Sequence, residues 1–169
     1  GSTKRMKEFI TEANYKEFRT RYKKGIPFAL ISGFKRDLDV AQNKKNNITL
    51  RSNISNQGYD MIRIIGRYRE SGDYYENMIV FCDKAENYKE FVRFLLFFGK
   101  RYYQNSVIIV DPDSNIWEYA TRADSTVGGV GSKKRYEKFL GAATTEIDNL
   151  IDMFTIRTYE LDNIKLVQD

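Results

Sequence analysis

Apolar positions along this chain change period several times, and each change marks an element. From Asn87 onward Phe91, Phe94, Leu95, Phe98 and Tyr102 recur at three- and four-residue spacing, which predicts a helix with one buried stripe. The β-branched run Val107, Ile108, Ile109 and Val110 follows directly, and it suits a central strand covered on both faces. Earlier in the chain Thr11 is placed to cap a helix carrying Tyr15, Phe18 and Tyr22, with Ile10 stapling onto Tyr15 and Gly25 as the stop. Pro27 then opens an extended run, Phe28 to Phe34. A second helix is expected from about Asp39 to Gln57, closed by Gly58 in a left-handed cap. On it Asn43, Asn47, Leu50 and Ile54 fall on one line, so two asparagines continue the apolar face. Inward amides need partners, and two readings stand: an internal network bracing loop backbone, or a pair turned toward a ligand.

Tyr59 to Glu70 reads as a strand with Ile62, Ile64, Gly66, Tyr68 and Glu70 on the core side and Met61, Arg63, Ile65, Arg67 and Arg69 on the other. A hairpin loop over Ser71 to Tyr75 returns the chain as Asn77 to Asp83, which sets Glu70 opposite Glu76. Asp111-Pro112-Asp113-Ser114 is a turn signal before a strand from Asn115 to Ala120. Arg122 to Gly131 is irregular. Ser132 is placed to cap a short helix with Tyr136, Phe139 and Leu140, and Thr144 or Thr145 another with Ile147, Leu150, Ile151 and Phe154. Two short strands around Ile156 to Leu161 and Ile164 to Val167, turned by Asp162-Asn163, finish the chain. The sum is a single α+β domain over 6–169, a mostly antiparallel twisted sheet of about five strands with helices packed on one face. Residues 1–5, which begin with the tag-like Gly1-Ser2, are expected to be a disordered start.

Composition removes several function classes. The chain has no histidine, so histidine triads, histidine zinc sites and histidine general bases are unavailable. Its one cysteine, Cys82, cannot form an internal disulfide, and it lies in an apolar run that suits a buried structural thiol. With no long uncharged apolar run there is no membrane span to place, and the expected location is the cytoplasm, that of the host if the protein is phage-encoded. The net charge of +5 is uneven: residues 1–51 hold thirteen Lys or Arg against five Asp or Glu, which permits an acidic or nucleic-acid partner.

Three constellations carry candidate chemistry. Glu70 and Glu76, brought together, would bind a divalent ion or divide acid and base roles, with Asp37, Asp111 or Asp113 as a third ligand. The glycines at 128, 129 and 131 precede Lys133, Lys134 and Arg135, and backbone N–H groups before a helix start would hold a phosphate. The segment matches neither the nucleotide P-loop nor the dinucleotide fingerprint. Arg63, Arg67 and Arg69 form a basic strand face that would neutralise phosphates beside exposed tyrosines.

The polar residues also form a spaced pattern: Ser32, Asn43 with Leu50, Gly58-Tyr59, Gly66-x-Tyr68-x-Glu70, Glu76, and Gly99-x-x-Tyr102-x-Gln104-x-Ser106. This pattern resembles a family of small uncharacterised proteins of bacteria and of tailed phages and prophages, over Phe28 to Val110 and more loosely to the segment beginning at Tyr136. The chain departs from it at Glu76-Asn77-Met78, where the family has Glu-x-Ser. The residues themselves put Ser32, Asn43, Asn47, Tyr68, Glu70, Glu76, Gln104 and Ser106 near strand ends and helix starts, where they would converge as a binding cluster, and the resemblance implies an α+β fold and a polar cluster of Ser, Asn, Glu and Gln. It also implies a phage-type accessory protein that acts by binding a host protein, a nucleic acid or a small nucleotide, without catalysis and without a cofactor. The alternatives are a divalent-metal enzyme on nucleotides or nucleic acid through Glu70 and Glu76, and a virion or assembly component.

Overall fold

The computed structural model describes residues 12–35, 37–68, 74–136 and 161–166. The element order is α1 (Glu12–Lys23), β1 (Phe28–Ile31), α2 (Val40–Asn56), β2 (Met61–Tyr68), β3 (Tyr74–Phe81), α3 (Tyr88–Arg101), β4 (Ser106–Val110), β5 (Ile116–Ala120), β6 (Lys133–Tyr136) and β7 (Leu161–Leu166). Seven strands form one sheet in the order β6-β5-β4-β1-β3-β2-β7. All its pairings are antiparallel.

The α+β class and the antiparallel sheet agree with the sequence. Two strands differ from that reading. β6 occupies the place expected for a helix capped by Ser132, because Trp117 and Tyr119 pair with Arg135 and Lys133 at the open side of β5. β7 runs through the expected Asp162-Asn163 turn. Its register on β2 passes from Arg67↔Asn163 to Tyr68↔Leu161, so Asp162 is the extra residue of a bulge rather than a reversal. The helix expected over 144–154 and the start at 1–5 lie outside the described residues.

The core lies between the sheet and the pair α2 and α3. Ala29 and Ile31, Met78 and Val80, Val107 and Ile109 point to that side and meet Leu50, Ile54, Phe91, Leu95 and Phe98. Met61 of β2 packs there too. This corrects the expected facing of β2: the side carrying Met61 and Arg63 is the one covered by α2 and α3. Ile62, 3% exposed, is buried on the other side. Continuous apolar runs in β1, β3 and β4 require that second face to be covered as well. At one end α1 covers it, with Phe18 set 5.3 Å from Phe28 and 6.0 Å from Phe81 between ring centroids. Arg21 fastens α1 by donating to Asp83 and Asp60, while its guanidinium lies 4.4 Å from the Phe81 ring centroid.

Gly99 shows how closely α3 approaches the sheet. A Cβ built there would sit 2.6 Å from Val107 Cγ2 and 2.9 Å from Thr121 Cγ2. Neither neighbour is the free end of a long side chain, so the helix would have to lift. Gly99→Ala should therefore destabilise the fold by about 1–3 kcal/mol despite alanine's better helix propensity. Urea unfolding would check this, and an unchanged midpoint would contradict the close approach.

Candidate functional site

β1 ends at Ile31, and the chain leaves the sheet through Ser32 to Asp39 before α2 begins. That exit has no ladder of its own, so its backbone groups need other partners. Asp39 caps α2, its carboxylate accepting from the Gln42 N–H at 2.7 Å. Helical spacing from this cap turns Asn43, Asn47, Leu50 and Ile54 inward. The amides of Asn43 and Asn47 then reach the exit loop. Asn47 Oδ1 accepts from the Gly33 N–H at 2.6 Å, and its Nδ2 donates to the Glu76 carbonyl at 2.8 Å. Asn43 Oδ1 accepts from the Lys35 N–H at 2.8 Å, and its Nδ2 donates to the Lys35 carbonyl at 3.0 Å. From the opposite side Gln104 donates to the Phe34 carbonyl at 2.8 Å. The Ser32 hydroxyl donates to the Glu76 carbonyl and accepts from the Phe34 N–H.

Ser32, Asn43, Asn47, Glu76 and Gln104 are thus brought together around one loop, and the amide and hydroxyl groups are spent on its backbone and on the Glu76 carbonyl of β3. Ser106 is not with them. It faces the other side of the sheet, where its hydroxyl donates to Glu118 Oε2 at 2.7 Å, and both residues are buried. The side chain of Tyr68 and the whole of Glu70 and Arg69 lie outside what is described, as does the side chain of Arg67.

Glu76 is the charged member of the group. Arg51 donates to its Oε1 and Arg63 to its Oε2, the latter at 2.8 Å, and the carboxylate is only 12% exposed. The hairpin register differs from the expected one, and Glu70 lies outside the described residues. Residues Ile65↔Glu76 and Arg67↔Tyr74 are partners, so β3 starts earlier than expected and Glu76 stands opposite Ile65. Asp37 pairs with Lys35, and Asp111 is consumed by its own turn, so neither supplies a third ligand. Among the described residues no group of three His, Cys, Asp or Glu is arranged to hold a metal ion.

Of the basic candidates, four have side chains among the described residues. Arg63 is held against Glu76 beneath α2. The glycine-rich loop runs into a strand, so it has no helix N-terminus to offer a phosphate. Lys133, Lys134 and Arg135 are exposed on that edge strand, with Lys133 Nζ 4.6 Å from the Trp117 ring centroid. Charged side chains at this place are also what keeps a sheet edge from pairing with another chain.

Sequence reasoning did not single out Arg51, Gly33 or Thr121. Arg51 follows Asn43 and Asn47 at four-residue steps, so the same spacing that found the asparagines contains the signal. Gly33 is needed because a Cβ there would approach Asn47 Oδ1 to 3.0 Å. Thr121 donates to the Gln104 carbonyl across a long separation that no local pattern reveals.

Burial raises the phenol pKa values of Tyr59, Tyr88 and Tyr119 and pushes the Cys82 thiol up to about 11. At neutral pH these groups are therefore hydrogen-bond donors rather than bases. Asp111 goes the other way. Burial alone would raise it, but hydrogen bonds from Trp117, from Asn115 backbone and side chain, and from Asp113 outweigh that and hold it below 3.8.

Two outcomes follow. Asn47→Ala strands the Gly33 N–H and a Glu76 carbonyl bond together and should cost about 2–4 kcal/mol, whereas the half-exposed Asn46→Ala should stay within about 0.5 kcal/mol. Paired denaturation curves would measure the contrast. Asp111 has a depressed folded pKa, so its stabilisation is present above the unfolded value and is lost as pH falls through the folded one. The stability gap between wild type and Asp111→Ala should hold from neutral pH to the ordinary carboxylate range and close below it. Fluorescence of Trp117, the chain's only tryptophan, reports this locally.

Comparison with known proteins changes the functional class. No curated protein matches the chain. A family model described as the S-Adenosylmethionine lyase family matches residues 29–159, more than three quarters of the chain, from β1 past β6. This overturns the reading of a non-catalytic accessory protein, and it names a sulfonium substrate where the metal alternative named nucleotides or nucleic acid. The chain belongs to the S-adenosylmethionine lyase family.

Proposed function

We propose that this protein cleaves a carbon–sulfur bond of S-adenosylmethionine without water. The family match over 29–159 carries the reading. The chemistry is consistent with the residues present. The substrate's sulfonium leaves as a neutral thioether, so the departing group needs no proton and no metal to neutralise it. Electrons for the new bond come either from a C–H bond, which requires a base, or from the substrate's own carboxylate, which requires only positioning.

The described residues favour the second route. The chain has no histidine, Glu76 is engaged by two guanidiniums, the buried carboxylate of Glu118 accepts from Ser106, and the buried phenols and thiol hold their protons. In that route a carboxylate oxygen attacks the γ-carbon of the methionine part, the C–S bond breaks, and its electron pair stays on sulfur. The products are a lactone and methylthioadenosine. The protein's contribution is a folded-back substrate conformation and a dry site, the kind of positioning that converts a slow encounter into an intramolecular reaction. The braced exit loop over 32–39 and the polar cluster below it are the parts we assign to that task. No helix among the described residues is long and apolar enough to cross a membrane. A cytoplasmic setting, where the substrate is made, and the phage-type origin suggested by the sequence resemblance belong to the same proposal.

The test is direct. Purified protein incubated with S-adenosylmethionine in ¹⁸O-water and quenched early should release methylthioadenosine and an amino-acid fragment free of ¹⁸O. Unchanged substrate would remove the lyase reading, and early ¹⁸O in the amino-acid fragment would make the protein a hydrolase.

A further inference from the structure

The face of the sheet opposite α2 and α3 carries polar groups that the loop-bracing cluster does not use. Asn77 of β3 is 1% exposed, and its Oδ1 has no hydrogen-bond partner. Its neighbours Glu76 and Met78 point toward α2 and α3, so Asn77 points the other way. The register places it opposite Ile64 in β2 and one step beyond the Ile31↔Met78 pair, beside Ser32. The same register, carried through β1 to β4, sets Ser106 on the same face and at the same end of the sheet. Asn77 and Ser106 are then two strand spacings apart, about 10 Å. Ser106 in turn holds the buried carboxylate of Glu118.

A buried amide oxygen without a donor is rare in folded proteins and costly to keep, and a β-branched residue would fill this strand position better. Ser32 cannot serve it, since its hydroxyl is committed to the Glu76 carbonyl. The face therefore presents an acceptor that lacks a donor and, nearby, a carboxylate. We infer that Asn77 is a substrate-contacting residue whose amide oxygen receives an N–H of the substrate. This rests on the proposed S-adenosylmethionine activity. That molecule carries two N–H groups of the required kind, the ammonium of its methionine part and the exocyclic amine of its adenine.

Asn77→Val and Asn77→Ala test the inference. Removing an orphaned acceptor should leave the ligand-free melting temperature of Asn77→Val equal or higher. If Asn77 contacts substrate, KM should rise about tenfold while kcat changes less than about threefold, the pattern of lost ground-state binding. Inhibition constants then separate the two donors. Weaker inhibition by methylthioadenosine identifies the adenine amine, and weaker inhibition by S-methylmethionine identifies the ammonium. Unchanged KM in folded variants overturns the inference, as does failure of both variants to fold, which would make Asn77 structural. Calorimetry of wild-type protein with S-adenosylmethionine keeps the two readings apart: no binding overturns the activity and the inference together, whereas binding with an indifferent Asn77 overturns only the latter.

Discussion

The amide of Asn47 is the joint on which the region after β1 depends. It takes the first free N–H beyond the strand with its oxygen and a β3 carbonyl with its nitrogen, so one side chain ties a helix, a loop and a strand. At the other end of the same helix face the attachment is hydrocarbon, with Leu50 and Ile54 fully buried. α2 is therefore docked by two different forces along one line. Hydrocarbon contact tolerates small slides, and hydrogen bonds do not. The directional end fixes where the loop over 32–39 must lie.

That arrangement explains why Glu76 is held as it is. Its backbone carbonyl is already used by Ser32 and Asn47, and its carboxylate sits between two guanidiniums, so the strand, the helix and β2 meet at one residue. A half-buried carboxylate flanked by two cations is tightly anchored, and breaking one partner would leave an uncompensated charge. Both of its oxygens already accept from guanidinium N–H groups. This is one physical reason to look to the substrate for the nucleophile in a lyase.

Much of the fold could be read from the sequence because local signals agreed with tertiary demands. The stripe Phe91, Phe94, Leu95 and Phe98 and the run Val107 to Val110 became α3 and β4, and the inward line of Asn43, Asn47, Leu50 and Ile54 became the docked face of α2. The failures came where pairing, not propensity, decides. Lys133 to Tyr136 has no strand signature of its own and is ordered by β5, and the hairpin register, with Tyr74 on the strand, sets Glu76 opposite Ile65. Facing in β2 was misread because a strand covered on both sides lacks the alternation that distinguishes core from surface. Under the proposed route the catalytic class has no signature to find: chemistry driven by substrate conformation needs no triad and no metal cluster, so its residues would look like ordinary scaffold.

The last strand carries a consequence for assembly. β7 joins β2 across a separation of about a hundred residues, whereas the neighbouring β2 and β3 are joined by a five-residue connection at 69–73. The hairpin closes locally and early, and its outer edge then waits, with N–H and C=O groups from Ile64 to Tyr68 exposed, for the far end of the chain to arrive. An open ladder of this kind accepts any extended segment, so the hairpin is exposed to mispairing with its neighbours until β7 is in place.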